Sequence, residues 1–234
     1  MWWIIGLSSF IIGCLIAFVI MLNRGIIAFV HLNKIAKKKQ IRVACVGDSI
    51  TYGYGVKGWI KNNYPARLGK MLGKDYCVHN YGHCGATASI FGDLPFMNIR
   101  EYKKSLKFKP DIVILMLGTN DSKPHNWKSG EKYIDDISRV AASYQNSNKK
   151  TSLYVLAPPP AFTEGDGLAK FNVDSTILKE IEFMINNLKD YKVIDLHKEF
   201  ENKNEFFWDG VHPNKEGCIK IASYIFKSIN EKGE

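Results

Sequence analysis

Residues 41–53 read "IRVACVGDSITYG", and this stretch decides the fold. Its first six residues are almost wholly apolar, as a strand buried on both faces of a parallel sheet must be. It then leaves the strand on Gly-Asp-Ser. Four further runs of the same kind follow: "YCVHNY" (76–81), "DIVILML" (111–117), "SLYVLA" (152–157) and "YKVIDL" (191–196). Helical patterns lie between and after them. Tyr133, Ile134, Ile137, Val140, Ala141 and Tyr144 mark one apolar face, with Ser129 placed to cap it. Ile177, Leu178, Ile181, Met184, Ile185 and Leu188 mark a second, and Ile219, Ala222, Ile225, Phe226 and Ile229 a third. This alternation predicts an α/β fold, a three-layer α/β/α sandwich around a five-stranded parallel sheet.

The chain has 234 residues, 46% hydrophobic and 24% charged, a globular composition. Its net charge of +9 is unevenly spread. Residues 1–40 hold Arg24, Lys34, Lys37, Lys38 and Lys39 and no acid. The remainder is only mildly basic and has no basic block interleaved with aromatics, so no nucleic-acid partner is expected.

Residues 2–22, "WWIIGLSSFIIGCLIAFVIML", carry no charge. As a helix they span about 31 Å, near the thickness of a bilayer's hydrocarbon core. A cleaved signal peptide would need a basic start and a small-residue cleavage site, which are missing. The expected division is a membrane anchor over 1–33, a basic linker over 34–40 and an α/β domain over 41–234. All nearby basic residues follow the span, which favours a single-pass anchor with the domain on the cytoplasmic face. An extracytoplasmic domain stays open. Five cysteines without a CxxC give no support to zinc or redox chemistry, and pairing of Cys77 with Cys84 stays open. No metal or other cofactor is expected.

In open α/β sheets, sites form beyond the carboxyl ends of the strands. There the chain places "GDSITYG", "GHCGAT", "GTNDS", "PPPAF" and, after the fifth strand, "FFWDGVHPN". A serine hydroxyl needs a base to become a nucleophile, and a histidine oriented by a carboxylate is the usual one. Asp209 and His212 are three residues apart, close enough for a turn to join them. The N–H groups of Ser49 and Gly85 and the amide of Asn120 could meet a developing oxyanion.

The blocks "GDSIT", "NYGHCGAT", "GTND" and "DGVHPN", in that order over residues 47–214, resemble those of the SGNH (GDSL-type) hydrolases. The resemblance implies a flavodoxin-like sheet, Ser49 as nucleophile, His212 as base and Asp209 as orienting acid. It implies an oxyanion hole from Ser49, Gly85 and Asn120. The GxSxG elbow of the α/β-hydrolases is absent around Ser49. "GTNDSKPHNW" looks most like the carbohydrate O-acetylesterases, sialate and xylan types included. The expected function is therefore a serine esterase removing small acyl groups, acetyl above all, from a glycan. A lysophospholipase or thioesterase, an O-acyltransferase and an inactive binding module are the alternatives. Tyr52, Trp59, Trp127 and Trp208 lie in or near the strand-end loops as candidates to stack on substrate, with Tyr54 and Phe162 nearby. Core packing is the other reading of each.

Overall fold

The computed structural model describes residues 2–26, 33–163 and 191–231. Five parallel strands form one sheet: β1 (Ile41–Gly47), β2 (Tyr76–Gly82), β3 (Ile112–Met116), β4 (Ser152–Ala157) and β5 (Lys192–Asp195). Their spatial order is β2-β1-β3-β4-β5, and every pairing is parallel. The predicted strands thus stand within a residue or so of where the apolar runs placed them.

Alternation explains why those runs are uninterrupted. Ala44 and Val46 of β1 face one cluster and Val43 and Cys45 the other, so neither face is polar. The first cluster is covered by α6 (Gly130–Ser147), through Tyr133, Ile137, Val140, Ala141 and Tyr144. Ser129 caps α6 by accepting from the Lys132 N–H. The second is covered by α4 (Tyr64–Leu72) and α8 (Lys215–Asn230), through Tyr64, Leu68, Ile221, Ala222 and Ile225. Each buried valine, leucine or isoleucine among them contributes about 1.5–3 kcal/mol. Shorter helices complete the layers: α2 (Ser49–Tyr52), α3 (Trp59–Asn62), α5 (Arg100–Lys107) and α7 (Leu196–Glu199). The helix expected over Ile177 to Leu188 lies outside the described residues.

Helix α1 runs Trp2–Asn23. Among the described residues no helix is long and apolar enough to cross a membrane, so the expected transmembrane span is not supported there. The foot of α1 is joined to the domain. The Asn23 and Arg24 carbonyls accept from the N–H groups of Gly58 (2.9 Å) and Gly55 (2.8 Å).

The stretch after it is strapped along the outer edge strand. Asn33 exchanges two hydrogen bonds with the backbone of Asn80, at 2.9 and 3.0 Å. Gln40 donates to the Lys74 and Tyr76 carbonyls, and His79 Nε2 lies 2.6 Å from the Lys34 carbonyl. All five cysteines are free, so Cys77 and Cys84 do not pair.

Candidate active site

Strand β1 ends at Gly47, where a Cβ would collide with Thr51 Oγ1 and the Met116 carbonyl. The chain turns at once into α2. Asp48 caps that helix by accepting from the Ile50 N–H at 2.9 Å, and Gly53 closes it in the left-handed region at φ 89°. Ser49 therefore sits on the first turn of a short helix at the carboxyl edge of the sheet.

Its partners arrive on a closed turn. Trp208 N–H donates to the His212 carbonyl at 3.0 Å, and Gly210 turns within it at φ 83°. Asp209 Oδ1 accepts from the N–H groups of Val211 (3.0 Å) and His212 (2.7 Å). Asp209 Oδ2 lies 2.7 Å from His212 Nδ1, and His212 Nε2 lies 2.8 Å from Ser49 Oγ. Burial pushes the Asp209 carboxyl up, but the His212 ring and the two N–H donors outweigh it and hold it below the ordinary carboxylate range. Three residues from distant parts of the chain thus form one hydrogen-bonded line. Such a line can draw a proton from the serine and balance the charge left on the imidazole.

Beside it, His83 N–H donates to the Gly47 carbonyl at 2.9 Å, which ties the second loop to the end of β1. Ala86 N–H reaches back to the His83 carbonyl, forming a turn with Gly85 at φ 84°. Asn120 Nδ2 donates to the Ala86 carbonyl at 3.1 Å, which uses one of its two amide hydrogens and leaves the other for a ligand. Gly85 and Asn120 therefore share one loop pair next to Ser49.

The aromatic candidates divide. Trp208 is 39% exposed, and its ring stacks near His212 with centroids 6.2 Å apart. Tyr54 stands 5.0 Å from the same imidazole, and its carbonyl accepts from Trp208 Nε1. These two rings flank the line. Tyr52 and Trp59 do not: they are 6% and 5% exposed and stack on each other at 4.9 Å within the core. Trp127 packs against Tyr133 under α6, and Phe162 against Phe207. A strand-end address does not separate rings facing solvent from rings that fold back.

Two supports stand behind the site, and the first escaped the sequence reading. Asn80 Nδ2 donates to the Thr51 and Tyr52 carbonyls, and its Oδ1 accepts from the Gly82 N–H, so it braces the back of α2. Asp121 accepts from the N–H groups of Ala88 and Ser89, and burial pushes its carboxyl up to about 6. A polar residue ending an apolar strand is the signal that could have marked Asn80. Among the described residues no group of three or more His, Cys, Asp or Glu side chains could hold a metal ion.

This geometry agrees with comparison to known proteins. Residues 45–218 match the GDSL-like lipase/acylhydrolase family. The chain belongs to that family. An acetylxylan esterase of Xylanibacter ruminicola is 34% identical over 215 residues, covering 82% of this chain and 44% of that protein. A multidomain esterase of Ruminococcus flavefaciens is 26% identical over 232 residues, covering 81% of this chain and 28% of that one. The chain thus spans less than half the length of these two relatives. Among solved structures, a carbohydrate acetylesterase from Sinorhizobium meliloti superposes with a TM-score of 0.64 at 17% identity, covering 81% of this chain and 98% of that one. The Mycobacterium smegmatis aryl esterase gives 0.63 at 17%, covering 80% and 97%. At those identities the likeness is one of fold.

Proposed function

We propose that this protein is a serine esterase that removes acetyl groups from a carbohydrate. The observation that carries the reading is the unbroken line from Ser49 Oγ through His212 to Asp209, at 2.8 and 2.7 Å. The 34% identical acetylxylan esterase supports the acyl group and the class of acceptor.

In this reading Ser49 Oγ attacks the ester carbonyl carbon while His212 Nε2 takes its proton. Negative charge on the former carbonyl oxygen meets the N–H groups of Ser49 and Gly85 and the Asn120 amide. The sugar hydroxyl leaves with the proton from His212, and the acetyl group stays on Ser49 Oγ as an ester. Water, activated by the same histidine, releases the acetate. Asp209 holds the tautomer and balances the imidazolium. Trp208 and Tyr54 form the walls against which a sugar ring lies.

We also propose that α1 seats the enzyme on a membrane as a single-pass anchor. The stretch without charge runs from Trp2 to Leu22. The large apolar side chains from Phe10 to Ile20 are 47–70% exposed on every side of the helix. The basic residues that follow favour the cytoplasmic face for the domain.

The test is acetate release by the full chain in neutral detergent from acetylated xylo-oligosaccharides, beside lysophospholipids and acyl thioesters. Acetylated sugar should be the best substrate, and Ser49→Ala should cut turnover by on the order of 10⁶-fold while the melting temperature holds. Preference for the lysolipid or thioester would replace the substrate. Half-activity in the variant would remove Ser49 from the chemistry.

A further inference from the structure

A second concavity, away from Ser49, lies between the strap of residues 33–40, helices α3 and α4, and the edge strand β2. Its volume is about 920 Å³. Six cationic side chains line it: Lys34, Lys37, Lys61, Arg67, Lys70 and Lys74. No aspartate or glutamate lines it. Among the described residues none of the six forms an ion pair. Unpaired cations gathered in one hollow repel one another, so the arrangement favours an anion brought from outside. Arg67 adds a guanidinium, held by its donation to Asn62, whose planar array of N–H groups suits an oxyanion.

The position of the hollow selects the anion. Trp59 lines it and also meets Gly25, at the foot of the apolar helix α1. Ile35 and Ile60, 95% and 50% exposed, stand among its lining residues. Cations, exposed aliphatic side chains and an apolar helix meeting at one place match the surface of a bilayer with acidic headgroups.

We propose that this cavity binds the phosphate headgroup of an anionic phospholipid. The site is separate from Ser49, and its test reads binding, so it succeeds or fails independently of the esterase reading. Free phosphate shares the chemistry, but it gives no role to the aliphatic rim or to the adjoining helix.

The experiment is a calorimetric titration of the full chain in neutral detergent with dihexanoyl phosphatidylglycerol, dihexanoyl phosphatidylcholine and inorganic phosphate at matched ionic strength. Saturable binding of phosphatidylglycerol, with much weaker heats from the other two, is expected. Each basic group near an acidic lipid surface is worth about 1 kcal/mol, so Lys37→Glu/Lys70→Glu/Lys74→Glu should lose roughly 100-fold in affinity. Lys103→Glu/Lys104→Glu/Lys107→Glu, on α5, removes the same charge elsewhere and should keep most of it. If the first triple variant melts early, Lys70→Gln/Lys74→Gln supplies the reading, with a loss of about 30-fold. Equal binding of phosphatidylcholine, equal loss in the two triple variants, or unchanged affinity in the Gln variant overturns the site. Inorganic phosphate binding as tightly as the lipid overturns the headgroup as its occupant.

Discussion

Two aspartates stand within reach of Ser49, and their surroundings treat them oppositely. Asp209 has each oxygen engaged, one by two N–H groups and the other by His212, and is held below the ordinary carboxylate range. Asp48 is next to Ser49 in sequence and wholly buried. Its Oδ1 accepts from Ile50, but its Oδ2 has no partner among the described residues, and burial pushes its carboxyl up to about 7. The contrast teaches that partners, not nearness, suit a carboxylate to bear charge beside a histidine. Asp209 is built to stay ionised, whereas Asp48 is built as a helix cap that gains by staying neutral.

The hardest blow to this contrast is Asp209→Asn. It keeps the shape but removes the charge and disturbs the histidine tautomer, so turnover should fall by about 10⁴-fold. A loss of only a few-fold in steady-state kinetics would erase the distinction between the two acids.

Asn120→Ala sharpens the picture on the opposite side of Ser49. If its free amide hydrogen meets the oxyanion, kcat should drop by roughly 10²–10³-fold with KM little changed. A rise in KM alone would make Asn120 a binding residue.

Asp48→Asn should cost less than about tenfold in kcat, because an amide oxygen can still cap α2. Its effect on stability depends on pH. The folded carboxyl titrates near 7, above the unfolded value of 3.8. Its neutral form therefore stabilises the fold fully below the unfolded value, and that contribution is lost as pH rises through about 7. The variant avoids that loss. Its melting temperature should exceed that of the parent by more at pH 8 than at pH 5, an advantage on the order of 1–4 kcal/mol. An advantage that shrinks with rising pH would contradict the raised carboxyl.

The smallest effect concerns the brace behind Ser49. Deleting residues 1–40 takes away helix α1. It also removes Asn33, which holds the backbone of Asn80, whose side chain in turn holds Thr51 and Tyr52. At about 1 kcal/mol per lost bond, a chain beginning at residue 41 should melt on the order of 5 °C below one beginning at residue 33. Equal melting curves would show that the strap adds nothing to α2.

The sheet could be read directly because burial on both faces leaves each strand apolar throughout. Ser49, Gly85, Asn120, Asp209 and His212 could be read as candidates because strands of one direction deliver their loops to one edge. The rest depends on contacts made at long range. Nothing near Asn33 announces that it meets Asn80, 47 positions on. Tyr52 and Trp59 share the address of the site residues, and only their stacking on each other shows that they belong to the core.

The joint at the foot of α1 has a mechanical consequence. Its last carbonyls are bolted to Gly55 and Gly58, and the ring of Trp208 leaves no room for a Cβ at Gly55. Trp208 in turn lies against His212. The joint therefore ties the helix to the loop of Gly55 and Gly58, which lies against the rings beside His212. On the proposed anchor, a loose leash would let the site sweep a hemisphere, whereas this joint would hold it near one height and heading. Lengthening the chain just after Arg24 would add slack without adding reach unless those two bonds were also broken.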